Sequence, residues 1–166
     1  RELLLEDIAT SQRLIETHAP HLPRVIGGHS LGGQLACCHV ALQPDATGDI
    51  WLAGSGAPYW RAFPLPHRLW LPMAYRFMPW LAQRKGYLPG RAIRLGGNEA
   101  RGVIVDWAMT AISGRYAANG IDTDLEAAMT RLTPRIRAAV LSEDWLAPES
   151  STRFLLSKLP AATAQA

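Results

Sequence analysis

Apolar positions recur along the chain with two different periods, and the changes of period mark out its elements. In residues 2–17, Leu4, Ile8 and Ile15 fall on one helical face with Leu5 and Leu14 beside it, which predicts a helix that Pro20 and Pro23 close. A short apolar run at Val25 and Ile26 then meets the turn Gly27-Gly28-His29-Ser30-Leu31-Gly32-Gly33. Residues 31–42 return to helical spacing with many small side chains. After a loop at 44–48, Ile50 to Ala53 reads as a second buried strand that ends at Gly54-Ser55-Gly56. Helix, strand, helix, strand is the rhythm of a parallel sheet covered by helices, so the expected fold class is α/β.

Beyond residue 57 the pattern changes. Residues 57–100 hold 6 of the 12 prolines and most of the aromatics, with helical pieces predicted near 68–83 and 101–112. Thr123 with Glu126 three residues on has the form of a capping box, opening a helix through Leu132. Thr133-Pro134 ends it, residues 136–141 read as a third core strand, and 142–147 as the loop behind it. Pro148 suits the first turn of a last helix carrying Phe154, Leu155 and Leu159. The expected organisation is a core segment over 1–56, a helical insertion over 57–133, and a returning core segment over 134–166.

Composition narrows the function classes. With 166 residues and 48% hydrophobic content the chain can build one sizeable core. The net charge of +3 is too small to imply nucleic acid as a partner. Cys37, Cys38 and His39 are consecutive, so on a helix they point in different directions and cannot converge on a metal ion. They read as small buried thiols beside a sheet, and reduced thiols fit a cytoplasmic setting. No segment has the form of a signal peptide. The most apolar stretch, 65–82, contains Arg68, Arg76 and three prolines and is no membrane span.

The chemistry is carried by Gly28-His29-Ser30-Leu31-Gly32, which matches the G-x-S-x-G pattern. In such a turn the chain swings from strand to helix with the serine at the apex. Side chains two before and two after it are expected to collide, hence glycine at 28 and 32. The helix starting at Leu31 aims its free N–H groups at the reacting centre, so the Leu31 amide is a natural oxyanion donor. No lysine follows the glycines as a phosphate-binding loop requires, and their spacing does not fit a dinucleotide fingerprint.

On this motif the chain resembles the α/β-hydrolase superfamily, in its serine esterase, lipase and peptidase-like branches with a Gly-His-Ser-Leu-Gly-Gly elbow. The segment Gly54-Ser55-Gly56-Ala57-Pro58-Tyr59-Trp60-Arg61 further resembles a less characterised group of bacterial hydrolases in that superfamily. The resemblance implies Ser30 as nucleophile and no cofactor. It also implies an acid in the loop after a later strand, commonly four residues before a proline. Asp144, followed by Pro148, fits that place, with Glu143 as its neighbouring rival and Asp106 far from any strand end.

The implied chain order ends with histidine, yet His18, His21, His29, His39 and His67 all precede Asp144. The expectation is that the catalytic histidine, and the strand bearing the second oxyanion donor, lie outside these residues and that the chain is a fragment. His29 belongs to the elbow, where the resemblance packs its side chain beside the sheet.

The insertion has its own charge pattern. From Ile50 to Asn98 there is no Asp or Glu, while Arg61, Arg68, Arg76, Arg84, Lys85, Arg91 and Arg94 are interleaved with aromatic residues. The resemblance makes this the place of a cap over the active site. One reading is a lid for an apolar substrate carrying a carboxylate or phosphate, or for docking on an anionic membrane surface. The other makes the aromatics the lid's own core and the arginines a solvated face. The function implied is hydrolysis of an ester, thioester or related acyl bond. The alternatives are an acyltransferase on the same scaffold, and a non-catalytic binding module or inactive fragment.

Overall fold

The computed structural model describes residues 1–93 and 97–165, so Arg94 lies outside the described residues. Two compact units are formed, one from Arg1–Ala57 with Ala118–Ala166 and the other from Pro58–Ala117.

The first unit is built on a four-stranded parallel sheet. Its strands are β1 (Val25–His29), β2 (Asp49–Ala53), β5 (Arg135–Ala139) and β6 (Thr163–Gln165), in the order β1-β2-β5-β6. The register sets Gly28 beside Leu52 and Leu52 beside Ala138. Ile50, Leu52, Ile136 and Ala138 turn inward and are buried, whereas Val25, Trp51, Ala53, Arg137 and Ala139 are exposed. Parallel sheets are ordinarily covered on both faces. Here the described residues cover one, and on the other the Arg137 guanidinium lies 5.6 Å from the Trp51 ring centroid.

Helix α2 (Leu31–Leu42) packs against β1 and β2 and is buried almost all round from Gly33 to Ala41. A helix enclosed on nearly every side must be apolar or small on every side, which explains its run of Gly, Ala and Cys. Before it lies α1 (Ile8–His18), entered through a π-helical turn at Leu3–Asp7. The apolar face predicted for this helix is only partly realised: Leu4 and Ala9 are buried, but Leu5, Leu14 and Ile15 are exposed. Part of its attachment is polar. The buried His39 ring approaches the Leu4 carbonyl at 3.1 Å and the Gln12 side chain at 2.9 Å.

Two short helices complete the unit, α5 (Leu125–Met129) and α6 (Glu149–Leu156). The helix start predicted at Thr123 lies one residue later. Asp124 is the N-cap, its carboxylate accepting from the Ala127 amide at 3.1 Å, and Glu126 instead meets Lys158 at 2.7 Å. The aspartate side chain supplies the cap acceptor that the threonine was expected to supply. The helix stops at Met129 rather than Leu132, and the amides of Arg131 and Leu132 close single turns onto the Ala128 and Met129 carbonyls.

The second unit centres on α3 (His67–Lys85) and α4 (Arg101–Ser113), with an antiparallel pair β3 (Tyr87–Pro89) and β4 (Asn98–Ala100) between them. Phe63, Leu71, Tyr75, Met78, Leu88 and Ile104 form its core, and Tyr75 meets Trp107 edge-on at 5.2 Å. Both long helices end in left-handed glycines, Gly86 at φ 81° and Gly114 at φ 73°. No helix among the described residues is long and apolar enough to cross a membrane.

Candidate active site

The turn after β1 has the backbone that the glycine pattern demands. Ser30 sits at φ 52°, ψ −121°, the only non-glycine residue at positive φ among those described. Such a conformation costs on the order of 1–3 kcal/mol and persists only where its surroundings enforce it. They do so here through three bonds. The Ser30 amide donates to the Ala53 carbonyl at 3.1 Å, and the Ser30 carbonyl accepts from the Gly33 amide at 3.2 Å and from the Ser55 hydroxyl.

The two motif glycines are not equivalent. A side chain at Gly28 would come within 2.6 Å of the Gly32 carbonyl carbon, so strand and helix touch there backbone to backbone. At Gly32 itself a Cβ would meet nothing within 4 Å among the described residues, so the expected two-sided collision is one-sided. The reason is direction: the close approach is made by Gly32's backbone, and its own Cβ position points away. Gly33 is the tighter helical position, since a Cβ there would run into Ser55 and come within 2.9 Å of Leu52.

Ser30 is exposed and occupies the N-cap of α2, yet its side chain makes no capping bond. A serine in that position usually spends its hydroxyl on its own helix. Here the Oγ makes no such bond, and α2 begins with the Leu31 amide directly after it.

Asp144 lies in the loop after β5. Its Oδ1 accepts from the Leu146 amide at 2.9 Å and the Ala147 amide at 3.2 Å, an Asx-type arrangement that fixes the carboxylate. Its Oδ2 points toward Gly54, at 3.3 Å from where a Cβ would stand, and His29 Nε2 lies 3.5 Å from the same point. Gly54, at φ 49°, therefore keeps a space between the tips of β1, β2 and β5 into which both side chains project. Glu143 is exposed with no hydrogen bond among the described residues, and Asp106 lies within α4. His29 is exposed on the uncovered face of the sheet. His18 and His21 are also exposed, and His39 is fully buried.

One positioning residue escaped the sequence reading. Ser55 is buried, donates to the Ser30 carbonyl, abuts Gly33, and accepts from the Thr152 hydroxyl at 3.1 Å. Gly56 packs beside Ser151, with the Ala57 amide donating to the Ser151 carbonyl at 3.0 Å. The loop after β2 thus ties the elbow to α6. The run Gly54-Ser55-Gly56 after an apolar strand was its only sequence signal.

Cys37 and Cys38 are buried free thiols, and burial pushes Cys37 up to about 12 and Cys38 higher still. Among the described residues no three His, Cys, Asp or Glu side chains are grouped to hold a metal ion.

No protein-family model matches the chain, and no curated protein does. Solved structures do. A monoacylglycerol lipase from Paleococcus ferrophilus matches 95% of this chain and 64% of its own, at 11% identity and a TM-score of 0.52. A candidate non-heme bromoperoxidase, BpoC, from Mycobacterium tuberculosis H37Rv matches 95% of this chain and 62% of its own, at 18% identity and 0.51. An alpha/beta fold family hydrolase from Bacillus anthracis str. Sterne matches 99% of this chain and 66% of its own, at 13% identity and 0.51. The chain thus spans less than two thirds of the length of these proteins, and what it shares with them is architecture. The parallel sheet, the strand–turn–helix at Ser30 and the flanking helices together are part of an α/β-hydrolase fold.

Proposed function

We propose that this chain carries the nucleophile and the acid of a serine hydrolase acting on an ester, thioester or related acyl bond through an acyl-enzyme. The observation that carries the reading is the strained backbone of Ser30, held at φ 52° with its hydroxyl uncommitted at the N-terminus of α2. In this mechanism Ser30 Oγ attacks the acyl carbon while an imidazole takes its proton. The carbonyl oxygen becomes an oxyanion held by the Leu31 amide, and its collapse expels the leaving group, which takes the proton back. Water then repeats the sequence to release the acid and free Ser30. Asp144 orients the imidazole through Oδ2, with Oδ1 tied to two amides. The base is assigned to a histidine outside residues 1–166, in keeping with the order serine, acid, histidine. No cofactor has a step in it.

A second reading gives the base role to His29, because its Nε2 and Asp144 Oδ2 both border Gly54. Transfer of the acyl group to an acceptor other than water would use the same residues, and product analysis separates the two outcomes.

The test is labelling of the full-length protein by a fluorophosphonate, with turnover of short-chain activated esters measured in parallel. Ser30→Ala should abolish labelling and lower kcat by on the order of 10⁶, as nucleophile loss does in well-studied serine hydrolases, with folding intact. His29→Gln should keep most of the turnover. Comparable turnover by a folded Ser30→Ala variant would remove Ser30 from the chemistry, and collapse in His29→Gln would install His29 as the base.

A further inference from the structure

Helix α3 is apolar on two opposite sides. Leu71, Tyr75, Met78 and Ala82 recur at helical spacing and face the core of their unit. Leu69, Met73, Phe77 and Trp80 recur with the same spacing on the other side, at 73%, 74%, 51% and 49% exposure. A helix apolar all round is normally buried all round, so this second stripe calls for an occupant.

Charge identifies that occupant. Arg76 and Arg84 sit within the exposed stripe, Arg84 with its guanidinium 5.1 Å from the Trp80 ring centroid. Arg61, Arg68 and Lys85 are exposed in the same acid-free run, and none of the five cations meets a carboxylate among the described residues. Burying unpaired guanidinium groups against an apolar protein surface is costly. A second copy docking through this same face would set these cations against their own kind.

We propose that the outward face of α3 docks onto an anionic lipid surface. At 19 residues the helix is about 28 Å long and lies in the plane of the interface. Leu69, Met73 and Phe77 enter the acyl boundary, Trp80 sits at headgroup level, and Arg76 and Arg84 extend along their aliphatic stems to lipid phosphates. The proposal does not rest on the acyl-transfer reading, since Ser30 has no part in it.

Co-sedimentation of the full chain with 3:1 phosphatidylcholine–phosphatidylserine vesicles, against phosphatidylcholine alone, tests it. Binding is expected to the anionic vesicles only and to weaken with salt. Arg76→Gln with Arg84→Gln should lower the partition coefficient by roughly 30-fold, the value for two basic residues near such a surface. Phe77→Ser with Trp80→Ser should also release the protein, and Ser30→Ala should bind as the parent does. These side chains are exposed, so unchanged thermal midpoints are expected for all of them. Vesicle binding that survives both α3 double variants assigns the attachment to another surface, such as the open sheet face, and overturns the proposal. So does self-association that Phe77→Ser with Trp80→Ser abolishes while vesicle binding persists. Equal competition by millimolar inorganic phosphate makes the site an anion pocket, which also overturns it.

Discussion

Asp144 and Glu143 are chemically near-identical neighbours whose difference lies in what surrounds each carboxylate. Asp144 has one oxygen held by two amides and the other directed at the space kept open by Gly54, whereas Glu143 is simply exposed. In the proposed mechanism Asp144→Asn leaves the turn intact but presents the wrong group to the imidazole. Activity of the full-length protein should fall on the order of 10⁴-fold, the effect of this change in the best-studied triad. Glu143→Gln should stay within a few-fold of the parent, a difference that steady-state kinetics on one activated ester resolves. A crippling Glu143→Gln would move the acid by one residue. The two cysteines give a second prediction at this scale. Burial raises Cys37 from 9.0 to about 12 in the fold, so its reactive thiolate is suppressed. Iodoacetamide at pH 8 should modify both thiols only after denaturation, as mass spectrometry would record. As pH rises through 9.0 the unfolded thiol loses its proton before the folded one does. Its contribution to stability is therefore intact below that pH and is lost progressively toward about 12. Rapid labelling of the native chain would contradict the burial.

Among the elements, α5 shows how little separates two adjacent candidates for a helix start. Thr123 and Asp124 can both cap in principle, but only the Asp124 carboxylate reaches the Ala127 amide. Asp124→Ala should therefore cost about 0.5–2 kcal/mol, and Thr123→Ala should lie within about 0.5 kcal/mol of the parent, by denaturant midpoint. The reverse order would restore the capping box. The same element carries the contact of Glu126 with Lys158, whose side chains are only 16% and 14% exposed. That contact ties α5 to the segment after α6.

For the whole molecule, the sheet is the informative feature. Its buried face is held by α2 and the inward residues of β2 and β5. Its other face presents Val25, Trp51, Ala53 and Ala139 around Arg137, lining an open concavity of about 740 Å³. Exposed apolar surface of this kind drives association. Residues 1–166 expressed alone should bind the dye ANS and self-associate in analytical ultracentrifugation. Ester turnover by that same preparation should sit at background, because the proposed mechanism draws its base from elsewhere. A monodisperse chain with no dye binding would mean that the face is covered. Serine-dependent turnover by that chain would bring the base back to one of its own histidines, His29 first.

The sequence by itself determined what depends on neighbours along the chain. The glycine pattern around Ser30 required a strand to turn sharply into a helix, and the run of small residues in 31–42 required that helix to be closely packed. The position of Asp144 in a loop closed by Pro148 was also legible, because turn and cap preferences act over a few residues. Tertiary structure decided the rest. The strands β3, β4 and β6 are three residues each, too short for a period to register, and exist through their pairing partners. Ser55 became a support of the elbow only when Thr152, 97 residues away, and Gly33 were brought to it. Gly54 became the common neighbour of Asp144 and His29 only when the ends of β1, β2 and β5 were set side by side. The outward stripe of α3 was invisible for the same reason, since a periodic pattern gives the angle between two apolar faces but not which of them the fold covers. Local preference fixes the direction of each element, and burial is settled by contacts between residues far apart in the chain.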